Sequence, residues 1–251
     1  MSAALATIRQ LEELGFNAWP ALQTQLHEGW LFRFADGYTK RANSVNAWMP
    51  GETPIAALID HAEAAYAARG ARAIFRLTPL APIELDAALE ARGYLHLDDS
   101  LVQSTVLPSE AGRDDDVEIQ RDVSAAWIAE YVACSGLRAS DAPTLERMLR
   151  SIPAPVAFAA LHIDGTAVAF GYAALERGHV GLFDIVSQRQ ARRRGFGLRV
   201  VRALMDWARQ AGAYHAYLQV VAANGPARSL YAGLGFRTVY GYHYRVAPTS
   251  R

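Results

Sequence analysis

The sequence predicts an α/β chain, a mixed α+β arrangement of two similar domains. Each is expected to be a mixed, mostly antiparallel sheet flanked by helices, with a central parallel crossover. Three observations carry this. Apolar segments of strand and helix period alternate through the second half. A basic glycine motif, RRRGFG (Arg192–Gly197), lies between a strand and a helix there, and strand–helix–strand order implies a parallel crossover. The punctuation of the second half recurs in the first at one fixed spacing.

The elements follow in order. LPSEAGRDDD (Leu107–Asp116) carries proline, glycine and acidic residues without a hydrophobic period. It reads as the linker between residues 1–110 and 111–251, each long enough for its own core. Beyond it, VEI is a short strand. Ser124 to Cys134 has helical spacing, with Trp127, Ile128 and Tyr131 on one side, and Asp141-Ala-Pro opens a second helix through Leu145, Met148 and Leu149. VAFAALHI and TAVAFGYAAL are apolar strands joined by Asp164-Gly165, a hairpin turn. Glu176-Arg177-Gly178 turns the chain into HVGLFDIVS. After the basic motif a helix runs from about Gly195 to Gln210, and Gly212 is placed to end it. AYLQVV is a buried strand, and Asn224 caps a short helix with Pro226 in its first turn. FRTVY and YHYRV close the chain as two strands.

The first half repeats this pattern. Gly70-Ala71 ends a helix as Gly212-Ala213 does, AIFRL follows one and AYLQV the other, and LEARGY (Leu89–Tyr94) matches YAGLGF (Tyr231–Phe236). An offset of 142 positions relates Gly70 to Gly212 and Gly93 to Gly235. Glycine ends helices in any α/β chain, but the spacing shared over the whole segment favours a duplicated fold. Under this offset Arg194 corresponds to Glu52, Gly195 to Thr53, Asn224 to Pro82 and Tyr231 to Leu89. The first half keeps the scaffold and loses the polar groups, as a degenerate copy would.

Composition narrows the function. The 251 residues hold 25 basic and 25 acidic side chains, so net charge is zero and a general nucleic-acid binder is disfavoured. The single cysteine, Cys134, has no internal disulfide partner, which suits a reducing, cytoplasmic compartment. MSAALATIRQLEELG lacks the basic start and apolar core of a secretory signal. No apolar run reaches the roughly 18 residues of a membrane span. The histidines are scattered without zinc-like spacing, and no metal is expected.

The basic motif fits phosphate best. A dinucleotide fingerprint lacks its third glycine, and a Walker loop lacks G-K-[ST]. Arg189, Arg199 and Arg202 extend the charge, but no nucleic-acid recognition module surrounds them. A helix start after a strand presents unpaired N–H groups and the positive end of the helix dipole. Glycines let the backbone approach a ligand closely, and arginines add charge-assisted hydrogen bonds.

The wider pattern is strand, R-x-x-G-x-G, helix, strand, then N-x-x-A-x-x-L-Y-x-x-L-G-F. It resembles the GNAT acetyltransferase superfamily through Arg192, Gly195 and Gly197, then Asn224, Ala227, Leu230, Tyr231, Leu234, Gly235 and Phe236. The likeness covers Val117 to Val246. GWLFRFADGYTKRANSV in the first half resembles the degenerate N-terminal copy of tandem members. One departure is Arg189, where the family often carries proline.

The resemblance implies transfer of an acetyl group from acetyl-coenzyme A, a co-substrate, to a primary amine by direct attack through a tetrahedral intermediate. The backbone N–H groups of Arg193, Arg194, Gly195, Phe196, Gly197 and Leu198, with the side chains of Arg192 to Arg194, would hold the pyrophosphate. The edge of Ile185-Val186-Ser187 would pair with the pantetheine amides, and the Val186 N–H would polarise the thioester. Asn224 would bond the pantetheine arm or cap its helix. Tyr231 would donate to the leaving thiolate, although a tyrosine packed in a helix is also common in cores. The base stays open among Asp184, Glu176, His179 and His243, with Asp184 sharing a face with Val186. Cys134 as a ping-pong nucleophile lacks a histidine partner. Trp127, Tyr131, Tyr172, Tyr240 and Tyr242 are core or acceptor lining. The expected partners are a small-molecule or peptide amine acceptor and a second copy in a homodimer, with neither nucleic acid nor membrane. A coenzyme A sensor or protein-interaction module without turnover would use the same cradle.

Overall fold

The structure is a computed structural model and describes residues 3–49, 51–108 and 114–249. The first half runs α1 (Ala3–Ala18), β1 (Gln23–His27), β2 (Trp30–Phe34), β3 (Val45–Ala47), α2 (Ile55–Ala67), β4 (Ile74–Leu77), α3 (Glu84–Ala91) and β5 (Leu95–Val106). The second runs β6 (Val117–Gln120), α4 (Ala125–Ser135), α5 (Ala142–Arg150), β7 (Val156–Ile163), β8 (Thr166–Glu176), β9 (His179–Ser187), α6 (Phe196–Gln210), β10 (His215–Val221), α7 (Gly225–Gly233) and β11 (Arg237–Val246). The middle of the expected linker, residues 109–113, and with it the 110/111 boundary, lies outside the described residues.

The two sheets expected from the sequence are joined into one. Its strand order is β1-β2-β3-β4-β11-β5-β10-β9-β8-β7-β6. The joint is a reciprocal exchange. β11 of the second half lies between β4 and β5 of the first, and β5 lies between β10 and β11 of the second. The edge N–H and C=O groups of each half's last strand therefore find partners in the other half, and those groups must be satisfied somewhere. From α2 onward the offset of 142 relates the starts of α2 and α6, β4 and β10, α3 and α7, and β5 and β11 to within one residue.

The closing segment corrects the sequence reading. FRTVY and YHYRV are one strand, β11, with register shifts between Thr238 and Tyr240 and between Tyr242 and Tyr244. Gly241 does not turn the chain. A hairpin there would leave β4 and β5 without their shared neighbour, whereas a bulge only bends the strand.

Helices cover both faces. α1, α4 and α5 bury Leu14, Trp19, Trp127 and Leu145 against Phe158, Tyr172, Phe183 and Tyr217 of the sheet. On the other face α6 buries Val200, Val201, Leu204 and Met205, with Tyr231 of α7 and Phe236 beside it. A third cluster joins α2 and α3 to β2, β3 and β4 through Ile59, Tyr66, Phe75 and Leu85. α1, from the first half, packs on β8 and β9 of the second. Its Glu12 makes a buried ion pair with Arg76 of β4, at 2.9 Å between Oε1 and Nη2, and accepts a 2.5 Å bond from the Tyr240 hydroxyl of β11. No helix among the described residues is long and apolar enough to cross a membrane.

Candidate active site

Strands β9 and β10 pair in parallel only from His179–Leu182 and His215–Leu218. Beyond that, β9 stays with β8 while β10 stays with β5 up to Val221 and Ser100. The sheet splits, and the far edge of β9 is left without a strand. Gln188 N–H donates to Val168 O at 2.9 Å. Alternation then turns the Val186 N–H toward β8 and the Ser187 N–H toward the split.

A bulge shapes the same point. Tyr172 pairs with Phe183 and Phe170 with Val186, so one extra residue sits in β9 opposite Gly171. Asp184 takes a left-handed φ of 52° there. Gly171 is required opposite: a Cβ on it would meet Ile185 Cδ1 at 2.4 Å. The bulge breaks the period of two, and Phe183, Asp184 and Val186 all face the α1/α4 side, while Ile185 faces α6. Asp184 does share a face with Val186, by way of the bulge.

The residue Asp184 keeps partial exposure, but its Oδ2 is cut off from solvent and has no hydrogen-bond partner among the described residues. Burial pushes its carboxyl from the usual 3.8 up to about 6, against the opposing pull of Arg41 and the Tyr131 hydroxyl. The same site raises the Tyr131 and Tyr38 phenols, mainly through burial and then through the Asp184 charge.

The other base candidates lie elsewhere. Glu176 ends β8, accepts from Asn17 Nδ2 at 2.9 Å and pairs with Arg177. His179 starts β9, at the opposite end from Asp184, with Nδ1 2.8 Å from Arg177 O. His243 lies 3.1 Å from Asp86 Oδ1 and stacks on His96. The structure brings none of the three to the split.

The basic motif opens α6 as expected. Arg189–Ala191 form a 3-10 turn, held by Ala191 N–H to Gln188 O at 2.9 Å, so the missing proline leaves the loop ordered. Arg192, Arg193 and Arg194 are exposed, and Gly195, at φ 79°, stands before the first helical turn. The first helical bond is Arg199 N–H to Gly195 O, which leaves the N–H groups of Phe196, Gly197 and Leu198 ahead of it. Arg199 differs from the three before it: Asp114 and Asp116 hold it at 2.6 Å, so its charge is spent within the fold. A Cβ on Gly197 would stand 3.7 Å from Ser187 Oγ and 3.8 Å from both Ile185 Cγ2 and Leu230 Cδ1. The end of β9, the start of α6 and helix α7 therefore converge at that glycine.

On α7, Asn224 caps the helix, its Oδ1 accepting from Ala227 N–H at 3.2 Å. Tyr231 is buried beside Phe236, and burial pushes its phenol up to about 12. Its hydroxyl makes no hydrogen bond to the described residues, unlike that of Tyr172, which donates to Ala18 O, or that of Tyr242, which donates to Gln219. Cys134 is half-buried, and burial raises its thiol against the pull of Arg192. A raised thiol is a poor nucleophile.

Trp127 and Tyr240 are core, bonded to Ala159 O and Glu12. Around Asp184 the sequence reading found Tyr131 and Tyr172 and missed Trp19, Tyr38 and Arg41, which come from the first half. Their one local signal is the turn-rich run Ala35–Asn43, with left-handed Asp36, Gly37 and Thr39. It named His243 only as a base candidate and missed the grouping of that histidine with His96 and Asp99; the potential ligand atoms of the three lie within 4.8 Å of one another on β5 and β11. These lie in the exchanged strands, away from the split. A cavity of about 750 Å³ beside α6 is lined by Asp114, Asp116, Glu118 and Asp206 and has the wrong charge for phosphate.

Comparison with known proteins gives consistent matches. The family described as probable histone acetyltransferase Rv0428c C-terminal matches residues 5–245. The uncharacterized N-acetyltransferase YobR of Bacillus subtilis (strain 168) is 30% identical over 244 residues, covering 95% of this chain and 98% of its own. Aminoglycoside N(6')-acetyltransferase type 1 of Serratia marcescens is 31% identical over 122 residues, covering 44% of this chain and 83% of its own. Among solved structures, a GCN5-related N-acetyltransferase from Kribbella flavida superposes with a TM-score of 0.69 at 18% identity, covering 99% of this chain and 96% of that one. A tandem GNAT protein from the clavulanic acid biosynthesis pathway gives 0.61 at 14% identity, covering 83% and 76%.

Proposed function

The chain belongs to the family of the probable histone acetyltransferase Rv0428c C-terminal and is an N-acetyltransferase of the GNAT kind, and on that premise we propose that it moves an acetyl group from acetyl-coenzyme A to a primary amine by direct attack. One observation carries the reading: Asp184, a carboxylate with an unpartnered buried oxygen, stands in β9 just past the point where β9 and β10 part. The cradle supports it, with three exposed arginines and free N–H groups at the start of α6.

In this reading Arg192 to Arg194 and the N–H groups of Phe196 to Leu198 bind the pyrophosphate, and the edge of Ile185 to Ser187 binds the pantetheine. The amine nitrogen attacks the thioester carbon, and a C–N bond forms as the carbonyl becomes an oxyanion held by a backbone N–H of that edge. Asp184 accepts the proton lost by nitrogen. The carbonyl reforms, the C–S bond breaks, and Tyr231 gives its hydroxyl hydrogen to the leaving sulfur and regains one from solvent, to which Asp184 returns the proton it took. A neutral amine gives the amide and the free coenzyme thiol; an amine that arrives as an ammonium also releases one proton. The name of the Serratia relative, an aminoglycoside acetyltransferase, agrees with an amine acceptor.

Residues 1–110 are a degenerate copy of residues 111–251. The offset of 142 supports this, with Glu52 where Arg194 would attract phosphate and buried Leu89 where Tyr231 stands. The function is tested by thiol release from acetyl-coenzyme A across a panel of amines, with calorimetry of coenzyme binding alongside. Binding without release from any amine would make the protein a sensor and overturn the reading.

A further inference from the structure

We propose that His96, Asp99 and His243 bind one divalent transition-metal ion of the zinc class, across the joint between the two halves. The site is separate from the acetyl-transfer site and does not depend on that reading.

The strands build it. His96 and Asp99 belong to β5 of the first half and His243 to β11 of the second. Residues three apart on a regular strand point to opposite faces. Here Leu97 pairs with Tyr244 and Ser100 with Tyr242, so Asp98 and Asp99 together stand opposite His243. Asp98 takes a left-handed φ of 54° at this point. The bulge turns Asp99 to the face that His96 and His243 share. The three potential ligand atoms then lie within 4.8 Å of one another. Among the described residues no other three histidine, cysteine or acidic side chains gather in this way. The fold holds the bulge through its backbone: Ala222 N–H donates to Asp99 O at 2.7 Å, and the Ser100 hydroxyl donates to Asp98 O at 3.0 Å.

Charge and hydrogen bonding suit a cation. Asp98 pairs with Lys40 at 2.7 Å and Asp86 of α3 with Arg245 at 2.7 Å. Asp99 pairs with no lysine or arginine among the described residues, and its side chain meets His96 Nε2 at 2.8 Å. Asp86 lies 3.1 Å from His243 Nε2. An ionised carboxylate only accepts, so that bond puts the His243 hydrogen on Nε2 and leaves the lone pair on Nδ1. A carboxylate behind the ring is the usual support of a metal-bound histidine. At His96 the ion takes the place of the hydrogen shared with Asp99. Tetrahedral zinc, with bonds of about 2.1 Å, holds its ligand atoms about 3.4 Å apart, so the 2.8 Å contact opens only slightly. The two rings stack at 4.2 Å and must turn out of the stack to meet one ion, for which the exposed His96 has room. Two imidazoles and one carboxylate select zinc, nickel or copper over magnesium or calcium. The ion would tie β5 to β11 and bind only where the halves have joined.

The test titrates the full chain with zinc chloride by calorimetry, and with cobalt chloride by visible absorption. One saturable equivalent is expected, with a Kd in the micromolar range or tighter and a melting temperature that rises with zinc. His96→Ala and His243→Ala should each weaken zinc binding at least tenfold. His179→Ala, at the histidine stack with His215, should bind zinc as the unaltered protein does. In the unaltered chain zinc should shift the NMR ring signals of two of the seven histidines. No saturable binding, or equal affinity in the folded His96 variant, overturns the proposal. So does zinc that shifts no histidine ring or that shifts other rings instead, whether or not the variants fold.

Discussion

Arg41 and Asp184 come from opposite halves of the chain, and each keeps a buried polar atom, Nε and Oδ2, without a hydrogen-bond partner among the described residues. The one is on the loop before β3, the other at a bulge in β9, and α1 packs across the strands between them. Residues of both halves surround Asp184.

Asp184 makes the rate depend on pH. Its carboxyl is raised to about 6, and only the ionised form accepts a proton, so kcat/KM should climb as pH rises through about 6. Asp184→Asn should remove that limb and lower kcat by about 10²–10⁴-fold. Stability moves the other way. The folded pKa exceeds the ordinary 3.8, so the native state holds its proton longer and loses stability as pH rises from about 4 to about 6. Thermal melting should find the Asn variant more stable than the native protein at pH 7 by roughly 1–3 kcal/mol, and no more stable at pH 3. Equal melting at both pH values would mean that the carboxylate is not desolvated.

Tyr231→Phe keeps the ring packed on Phe236 and deletes a hydroxyl that bonds no described residue. Turnover should fall about 10–100-fold, while coenzyme affinity by calorimetry and the melting temperature stay near native values. Unchanged turnover would leave Tyr231 as core alone.

Two arginines of one helix start should behave differently. Arg194→Glu reverses an exposed charge at the cradle and should weaken acetyl-coenzyme A binding about tenfold or more, with the loss shrinking at high salt. Arg199→Ala removes a side chain already bound by Asp114 and Asp116 and should act on stability rather than affinity. Equal affinity losses in both variants would contradict this division.

The exchanged strands predict that the halves do not fold apart. A fragment of residues 111–251 lacks β4 and β5 and exposes one edge of β10 and both edges of β11. It should give a poorly dispersed NMR spectrum or aggregate, and adding residues 1–110 should restore the native spectrum. A folded, coenzyme-binding fragment alone would refute this.

Much of the second half was legible because its signals are local. Asp164-Gly165 makes its hairpin with both residues left-handed, Asn224 caps α7, and HVGLFDIVS matches β9 end to end. Asp184 was legible as a candidate but not as the one buried group. Trp19, Tyr38 and Arg41 carry no local mark of chemistry, and the Phe183 ring and Asp184 carboxylate near which they gather lie in the other half of the chain.

The sequence by itself determined the local elements, the cradle between β9 and α6, and the repeat spacing, since turn glycines, caps and hydrophobic period act within a few residues. Only the tertiary structure decided that the halves share one sheet and that Trp19, Tyr38 and Arg41 of the first gather near Asp184 of the second. Strand pairing is set by edges meeting across the fold. β5 and β11 look alike as strings, and nothing within either one states that each must complete the other's sheet.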